Sequence, residues 1–351
     1  MSVDIGIIGP QGSGKTTLFS ALTGSGATTR DLHIGTAKVP DKRLGILAEM
    51  FHSKKITPAE VKYLDIGASV GELTQSGIGG KVLTELSKVD ELLNVVRGFD
   101  HGAMDITEDM SKASLEIIFS DLSIIEKRLE KLGSSLKAAK ADERQNLLRE
   151  QEVLLKLKEG LEKDIPIRDM GIDEPRIISG YQFLSAKPML TVVNISDEDV
   201  PRMADLEKEL NARFGSPSHQ IIAIPVKLEQ ELSELSAEFA QEMRSEYGLN
   251  EPGFDRIIRA SYDLLGLITF LTTGPDDTRA WSIPRGTTAL KAAGKIHSDI
   301  ERGFIRAEVI SFDELVSCGS LAEARKRGLL RLEGKDYVVR EGDIINILFG
   351  V

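Results

Sequence analysis

Residues 9–16 read Gly9-Pro10-Gln11-Gly12-Ser13-Gly14-Lys15-Thr16 and fill the pattern G-x-x-x-x-G-K-[S/T] at every position. Glycines at that spacing let the backbone wrap tightly and turn several N–H groups toward one point. Such donors, at the positive end of the helix that follows, bind polyphosphate. Lys15 then reaches the β- and γ-phosphates as a point charge. The Thr16 hydroxyl ligates Mg2+, which keeps most of its waters, and Thr17 sits on the same opening turn. This is a P-loop, and its chemistry is the cradling of a nucleoside triphosphate with magnesium.

The elements around the loop support that reading. Residues 3–8 form a short, β-branched apolar run that reads as a buried strand, and residues 16–22 open a helix. Strand, glycine loop and helix in that order begin a doubly wound α/β sheet. Further strands are expected at 61–64, 92–96, 189–194 and 220–225. Asp65 ends the first of these runs and is placed to hold the magnesium shell through water. Asn194-Ile195-Ser196-Asp197 stands where a base-reading Asn-Lys-x-Asp segment would follow a later strand. Asn194 suits N7 of either purine, and Ile195 suits the base plane. Asp197 accepts the two protons of a guanine edge, which adenine does not offer as a pair. These residues leave the base open between ATP and GTP. Val226 and Lys227, after the next strand, are placed to cover the far side of the base with backbone groups.

Between these strands the periodicity changes. Leu115, Ile118, Leu122, Ile125, Leu129 and Leu132 recur at spacings of three and four, and Leu147, Leu154 and Leu161 recur every seven with Leu157 between them. Two such stripes, joined by the polar stretch from Gly133 to Gln145, predict an antiparallel helical hairpin that Ile165-Pro166 ends. Helices are expected at about 229–246 and 253–265. From about 267 short β-like runs at 269–272, 279–282, 307–310, 336–339 and 344–348 surround one helix at 289–300, as in a small α+β module. The expected division is a nucleotide-binding domain at 1–112 and 166–266, an inserted hairpin at 113–165 and a C-terminal domain at 267–351.

Several segments together resemble the YchF subgroup of Obg-like ATPases. They are the loop itself, Lys42-Arg43-Leu44 after Pro40-Asp41, Asp65-Ile66, and Asn194-Ile195-Ser196-Asp197. The C-terminal runs Arg279-Ala280-Trp281-Ser282-Ile283-Pro284, Ala292-Ala293-Gly294-Lys295-Ile296-His297-Ser298-Asp299 and Gly303-Phe304-Ile305-Arg306-Ala307 carry the most specific match. They look like the TGS domain of that family, a ubiquitin-like fold. The resemblance covers nearly the whole chain. It implies ATP in preference to GTP, slow hydrolysis and association with ribosomes. Some positions depart from the family. Gly12 replaces an Asn associated with potassium binding, so potassium activation is not carried over. The first switch region is short, and Thr28, Thr29 and Thr36 all compete for the magnesium-binding Thr. Ala68 stands where Asp-x-x-Gly has its glycine, and Ser69 where ordinary GTPases place Gln.

The chain has 351 residues, long enough for two or three domains, and 41% of them are hydrophobic. Its net charge of −11 repels nucleic acid as a whole, so no DNA partner is expected and any RNA contact must be local. One cysteine, Cys318, excludes an internal disulfide and fits a reducing cytoplasm. No apolar run is long enough to span a membrane. The five histidines lack metal-ligand spacing. Lys291, Lys295, Arg302 and Arg306 offer a local basic face, and Lys127, Arg128, Lys131, Lys137, Lys140 and Arg144 charge the hairpin. His297 and Trp281 read as structural. The expected function is a magnesium-dependent ATPase switch that meets a ribosome through hairpin and TGS domain. The rivals are a GTPase of the same architecture and a nucleotide-gated RNA-binding module with negligible hydrolysis.

Overall fold

The computed structural model describes residues 3–24, 32–66, 80–99 and 106–350. In chain order the strands are β1 (Val3–Ile8), β2 (Leu32–Lys38), β3 (Ile56–Thr57), β4 (Glu60–Ile66), β5 (Glu91–Arg97), β6 (Met189–Asn194), β7 (His219–Ile224), β8 (Leu267–Thr273), β9 (Thr278–Pro284), β10 (Phe304–Ser311), β11 (Arg331–Glu333) and β12 (Asp343–Phe349). The helices are α1 (Lys15–Thr23), α2 (Lys42–Phe51), α3 (Gly80–Lys88), α4 (Ile106–Ala138), α5 (Ala141–Leu161), α6 (Pro175–Tyr181), α7 (Met203–Phe214), α8 (Val226–Ser233), α9 (Ala237–Glu246), α10 (Gly253–Leu264), α11 (Ala289–Ile296), α12 (Ser298–Arg302), α13 (Phe312–Cys318) and α14 (Leu321–Lys326). Among the described residues, no helix is long and apolar enough to cross a membrane.

The chain divides into two compact units. The larger holds residues 3–37 and 62–264. Its sheet runs β2-β4-β1-β5-β6-β7, with β1, β5, β6 and β7 parallel. Every residue of β6 is buried, as a parallel strand covered on both faces requires. Strand β1 lies mid-sheet, so its C-terminal end carries the glycine loop into the crevice where ligands of such sheets bind.

Helices α4 and α5 pack along Ile118, Ile125, Leu132, Leu154, Leu157 and Leu161, all buried. Helix α4 starts seven residues before the expected hairpin. It also runs through Gly133-Ser134-Ser135, so the turn is confined to residues 139–140 rather than spread over the polar stretch. Polar residues on an exposed helix face cost little, which is why that stretch stays helical. The hairpin's root is pinned by Asp121, whose carboxylate accepts from the backbone N–H groups of Leu184 (3.1 Å) and Ser185 (2.7 Å).

The smaller unit holds residues 38–61 and 265–351. The expected boundary at 267 therefore needs a change: segment 38–61, expected with the nucleotide-binding domain, packs with the C-terminal residues. Its sheet runs β11-β10-β12-β8-β9-β3, and β3 pairs in parallel with β9 through Ile56↔Thr278 and Thr57↔Arg279. Leu44 and Leu47 of α2 join Leu271, Ala280, Leu315 and Ile344 on one side, while Ala289, Ala292 and Ala293 of α11 join Phe270 and Val309 in a separate cluster.

Other expectations are corrected. Residues 336–339 make no strand beyond a bridge of Val338 to Thr288, and β11 takes that place in the sheet. The helix expected over 289–300 breaks at His297, whose extended backbone and Nδ1 cap α12 by accepting from the Asp299 N–H. The helix expected over 229–246 is split into α8 and α9, because Ser236 caps a new start. Trp281 is half-buried. It stacks on Phe270, lies under the Arg279 guanidinium at 4.1 Å, and donates Nε1–H to Thr272 at 3.0 Å.

A buried carboxyl ties β5 to α10. Glu91 is fully buried, one oxygen accepts from Ser261 Oγ at 2.7 Å, and the other has no partner among the described residues. Burial pushes its pKa up from 4.5 to about 8. The native state therefore keeps a proton that the unfolded chain releases above about pH 4.5. The contribution to stability is complete below that pH and is lost as pH rises toward 8, at no more than about 1.4 kcal/mol per pH unit. Urea unfolding between about pH 5 and 8 should show wild type losing stability relative to Glu91→Gln. Parallel pH profiles would contradict this.

Candidate nucleotide site

Strand β1 delivers the loop at its C-terminal end, and α1 begins at Lys15. Gly9, Gly12 and Gly14 all have positive φ, at 135°, 78° and 96°. Two of the three also lack room for a side chain. A Cβ on Gly9 would lie 2.2 Å from the Val95 carbonyl oxygen, and one on Gly14 would lie 2.4 Å from Asn194 Nδ2. The first turn of α1 carries no acidic residue, so its unpaired N–H groups remain positive toward the loop. Lys15 is buried and donates from Nζ to the carbonyls of Gly9 and Pro10, both at 2.8 Å. Its ammonium is thus held against the loop that would surround a phosphate. Gln11 and Gly12 are exposed, whereas Ser13 is fully buried with an unpartnered Oγ.

Asn194 closes the site from β6. It is 7% exposed, donates Nδ2–H to Ser13 O at 3.0 Å and accepts on Oδ1 from the Val226 N–H at 3.2 Å. The carboxamide expected at N7 of a base therefore ties the P-loop to the segment after β7. The second Nδ2 hydrogen is the one donor left for a ligand, beside a second lone pair on Oδ1. The Val226 N–H is engaged by this bond to Asn194. Helix α8, which starts at Val226, is anchored by buried Glu229, which accepts from Gly253 N–H at 2.9 Å and Arg244 at 3.3 Å.

A cavity of about 510 Å3 opens here. Gly12, Gly14 and Thr17 line one side, and Asn194, Ile195, Asp197, Lys227 and Leu228 the other. Asp197 and Lys227 are exposed, while Ile195 is 3% exposed. Phe99, Gln230 and Tyr247 also line it and went unnoticed in the sequence, where no motif marks them. Two exposed aromatics at one cavity were the available signal.

Asp65 sits at the end of β4, fully buried. Thr16 Oγ1 approaches its Oδ2 at 3.3 Å, and Oδ1 is buried without a partner. A carboxylate oxygen without a partner among the described residues, next to the loop hydroxyl, fits a hydrated divalent cation, so Thr16 and Asp65 are the residues that would hold Mg2+. His33 Nδ1 lies 3.4 Å from the same Oδ2, a neighbour the sequence did not single out. Thr36 is exposed on β2, and Thr28, Thr29, Ala68 and Ser69 lie outside the described residues.

Over 374 aligned positions the chain is 37% identical to the ribosome-binding ATPase YchF of Bacillus subtilis (strain 168), with 100% of both chains covered. The chain belongs to the YchF family. The ribosome-binding ATPase YchF of Escherichia coli O157:H7 is 34% identical over 100% of each chain. The solved structure of the Schizosaccharomyces pombe YchF GTPase matches with a TM-score of 0.84 at 28% identity, covering 99% of this chain and 98% of that one. A family model described as YchF-GTPase_C, a protein of unknown function (DUF933), matches residues 267–350. The YchF architecture is thus a P-loop α/β domain with an inserted hairpin and a C-terminal α+β domain, the fold class expected from the sequence.

At least three of the ten residues on the expected basic faces are paired within the chain. Lys291 pairs with Glu301 at 2.8 Å, Arg302 pairs with Asp299, and Arg128 binds Glu150 at 2.8 Å. Among the described residues no cluster of His, Cys, Asp and Glu could hold a metal ion on its own.

Gly14→Ala should combine a disfavoured φ with a clash against Asn194. A titration with a fluorescent ATP analogue should show affinity falling by roughly tenfold or more. The far-UV spectrum should stay native. Unchanged affinity would show that the close approach to Asn194 is dispensable.

Proposed function

We propose that the protein is a magnesium-dependent purine nucleotide-binding switch and slow ATPase that acts on ribosomes in the cytoplasm. The observation that carries the nucleotide reading is the glycine loop and the Asn194 tie at one cavity, with the Asp65 carboxylate beside the loop's Thr16 hydroxyl. In this reading the loop N–H groups and the α1 terminus bind the phosphates, and Lys15 neutralises charge on the transferred phosphoryl group. Thr16 and Asp65 hold the metal, Asp65 through water. A bound Mg2+ supplies charge neutralisation of the phosphate oxygens. No described side chain in the cavity is placed as a general base, so catalysis rests on positioning and electrostatics, which accords with slow turnover.

The relatives named ribosome-binding ATPases support ATP and a ribosomal partner for this chain, reached through the hairpin and the TGS-type domain. A GTPase is the second reading, and a specific observation favours it: the exposed carboxylate of Asp197 lines the cavity and suits the guanine edge. Competition of ATP and GTP for a fluorescent analogue decides between them, and ATP is expected to displace it at lower concentration. A clear GTP preference rejects the choice of base.

Lys15→Ala should abolish triphosphate binding measured by calorimetry with Mg2+, while the thermal midpoint stays near that of wild type. Retained affinity would remove Lys15 from the proposed role. Single-turnover phosphate release from bound ATP, with and without ribosomes, tests the enzyme itself. Release in neither condition leaves a binding module without hydrolysis.

A further inference from the structure

A second cavity, of about 290 Å3, lies in the larger unit beneath the root of the hairpin. That is the lower end of the range for small-molecule pockets, roughly 300–1,000 Å3, and far more than one water fills. Asn94 of β5 and Thr191 of β6 lie side by side in parallel register and form its floor, with His219 of β7. The start of α4 roofs it, and Arg168 and Asp169 flank it just after the hairpin.

Thr191 Oγ1 and His219 Nε2 bond each other at 2.9 Å and Asp169 Oδ1 accepts from Ser216 Oγ at 2.7 Å, but two other polar groups of the lining are left unsatisfied among the described residues. Asn94 is 1% exposed in a strand covered on both faces, yet among the described residues its Oδ1 has no hydrogen-bond partner. The Arg168 side chain is 4% exposed, and its Nε also has no hydrogen-bond partner. The remaining guanidinium nitrogens make only long bonds to the carbonyls of Ser185 (3.5 Å) and Lys187 (3.4 Å) and to Met189 Sδ (3.9 Å). A buried cation of this kind is costly unless something pairs with it. Asp169 Oδ2 stands 4.0 Å from Nε, too far for a hydrogen bond. His219 adds no charge near neutrality, since burial and the Arg168 guanidinium push its pKa down to about 4. The cavity therefore presents one cation beside the carboxylates of Asp169 and Asp164, over an apolar wall that includes Met110, Ile118 and Phe214.

We propose that this cavity binds a free α-amino acid with an apolar side chain. The carboxylate is held by Arg168, and the ammonium faces Asp169 and donates to the Asn94 Oδ1. The side chain rests on Met110, Ile118 and Phe214. A plain carboxylate would leave the acidic side unmatched, and a dianion would be repelled by it. An α-amino acid carries opposite charges as close together as the Arg168 and Asp169 groups that would receive them.

Calorimetry of the full chain with L-leucine and L-methionine tests this. At least one should bind saturably, and the corresponding amide and deaminated acid (L-leucinamide and 4-methylpentanoate for leucine) should each bind roughly tenfold or more weakly. Arg168→Gln should lose the binding. Because removing a buried guanidinium can impair folding, Ser114→Phe on the half-exposed roof provides a second variant. It should fill the cavity and lose amino-acid binding while ATP affinity stays unchanged. The proposal is overturned by no uptake of either amino acid up to about 10 mM, by equal binding of the analogues, or by retained binding in a folded Ser114→Phe variant.

Discussion

One carboxamide joins parts of the chain 181 residues apart. Asn194 reaches from the end of β6 to the carbonyl of Ser13 and, with its other arm, to the N–H of Val226. The approach is close enough that residue 14 has to be glycine: a β-carbon there would sit 2.4 Å from the Asn194 nitrogen. The phosphate loop, the base-side segment and the start of α8 are therefore set by the same pair of hydrogen bonds. Both bonds are buried, and breaking either would leave polar atoms without water, which makes the tie costly to lose.

The rest of the larger unit serves to place the ends of that tie. Parallel strands β1, β5 and β6 bring the glycine loop and Asn194 to the same edge of the sheet. Buried Glu229 fixes α8 against the N-terminus of α10, so the cavity wall that carries Lys227 and Leu228 is held from behind. The metal side is built with less redundancy. Asp65 has one oxygen near Thr16 and His33 and one with no partner among the described residues.

Much of this was legible beforehand because its signals are local. The loop octapeptide, the apolar runs of β1, β5, β6 and β7 and the leucine stripes of the hairpin are each written in a short stretch. Each also has one physical reading. What escaped depended on partners remote in sequence. Residues 38–61 carry no mark of belonging with β9, because β3 is two residues long and its pairing exists only in the folded sheet. The helix over 133–138 escaped because glycine and serine lower helix propensity only modestly, and a long neighbouring helix outweighs that.

By itself, then, the sequence determined that a phosphate-binding loop lies between a buried strand and a helix, that a helical hairpin interrupts the domain, and that a small α+β module follows. Those features arise from spacing and periodicity, which act over one or two turns. Only the tertiary structure decided that Asn194 spends its carboxamide on Ser13 and Val226, that His33 stands beside Asp65, and that Arg168 and Asn94 are buried at one cavity. Each of these is a meeting of groups far apart in the chain. Burial at those meetings sets which hydrogen bonds are made and which polar atoms are left for something else to satisfy.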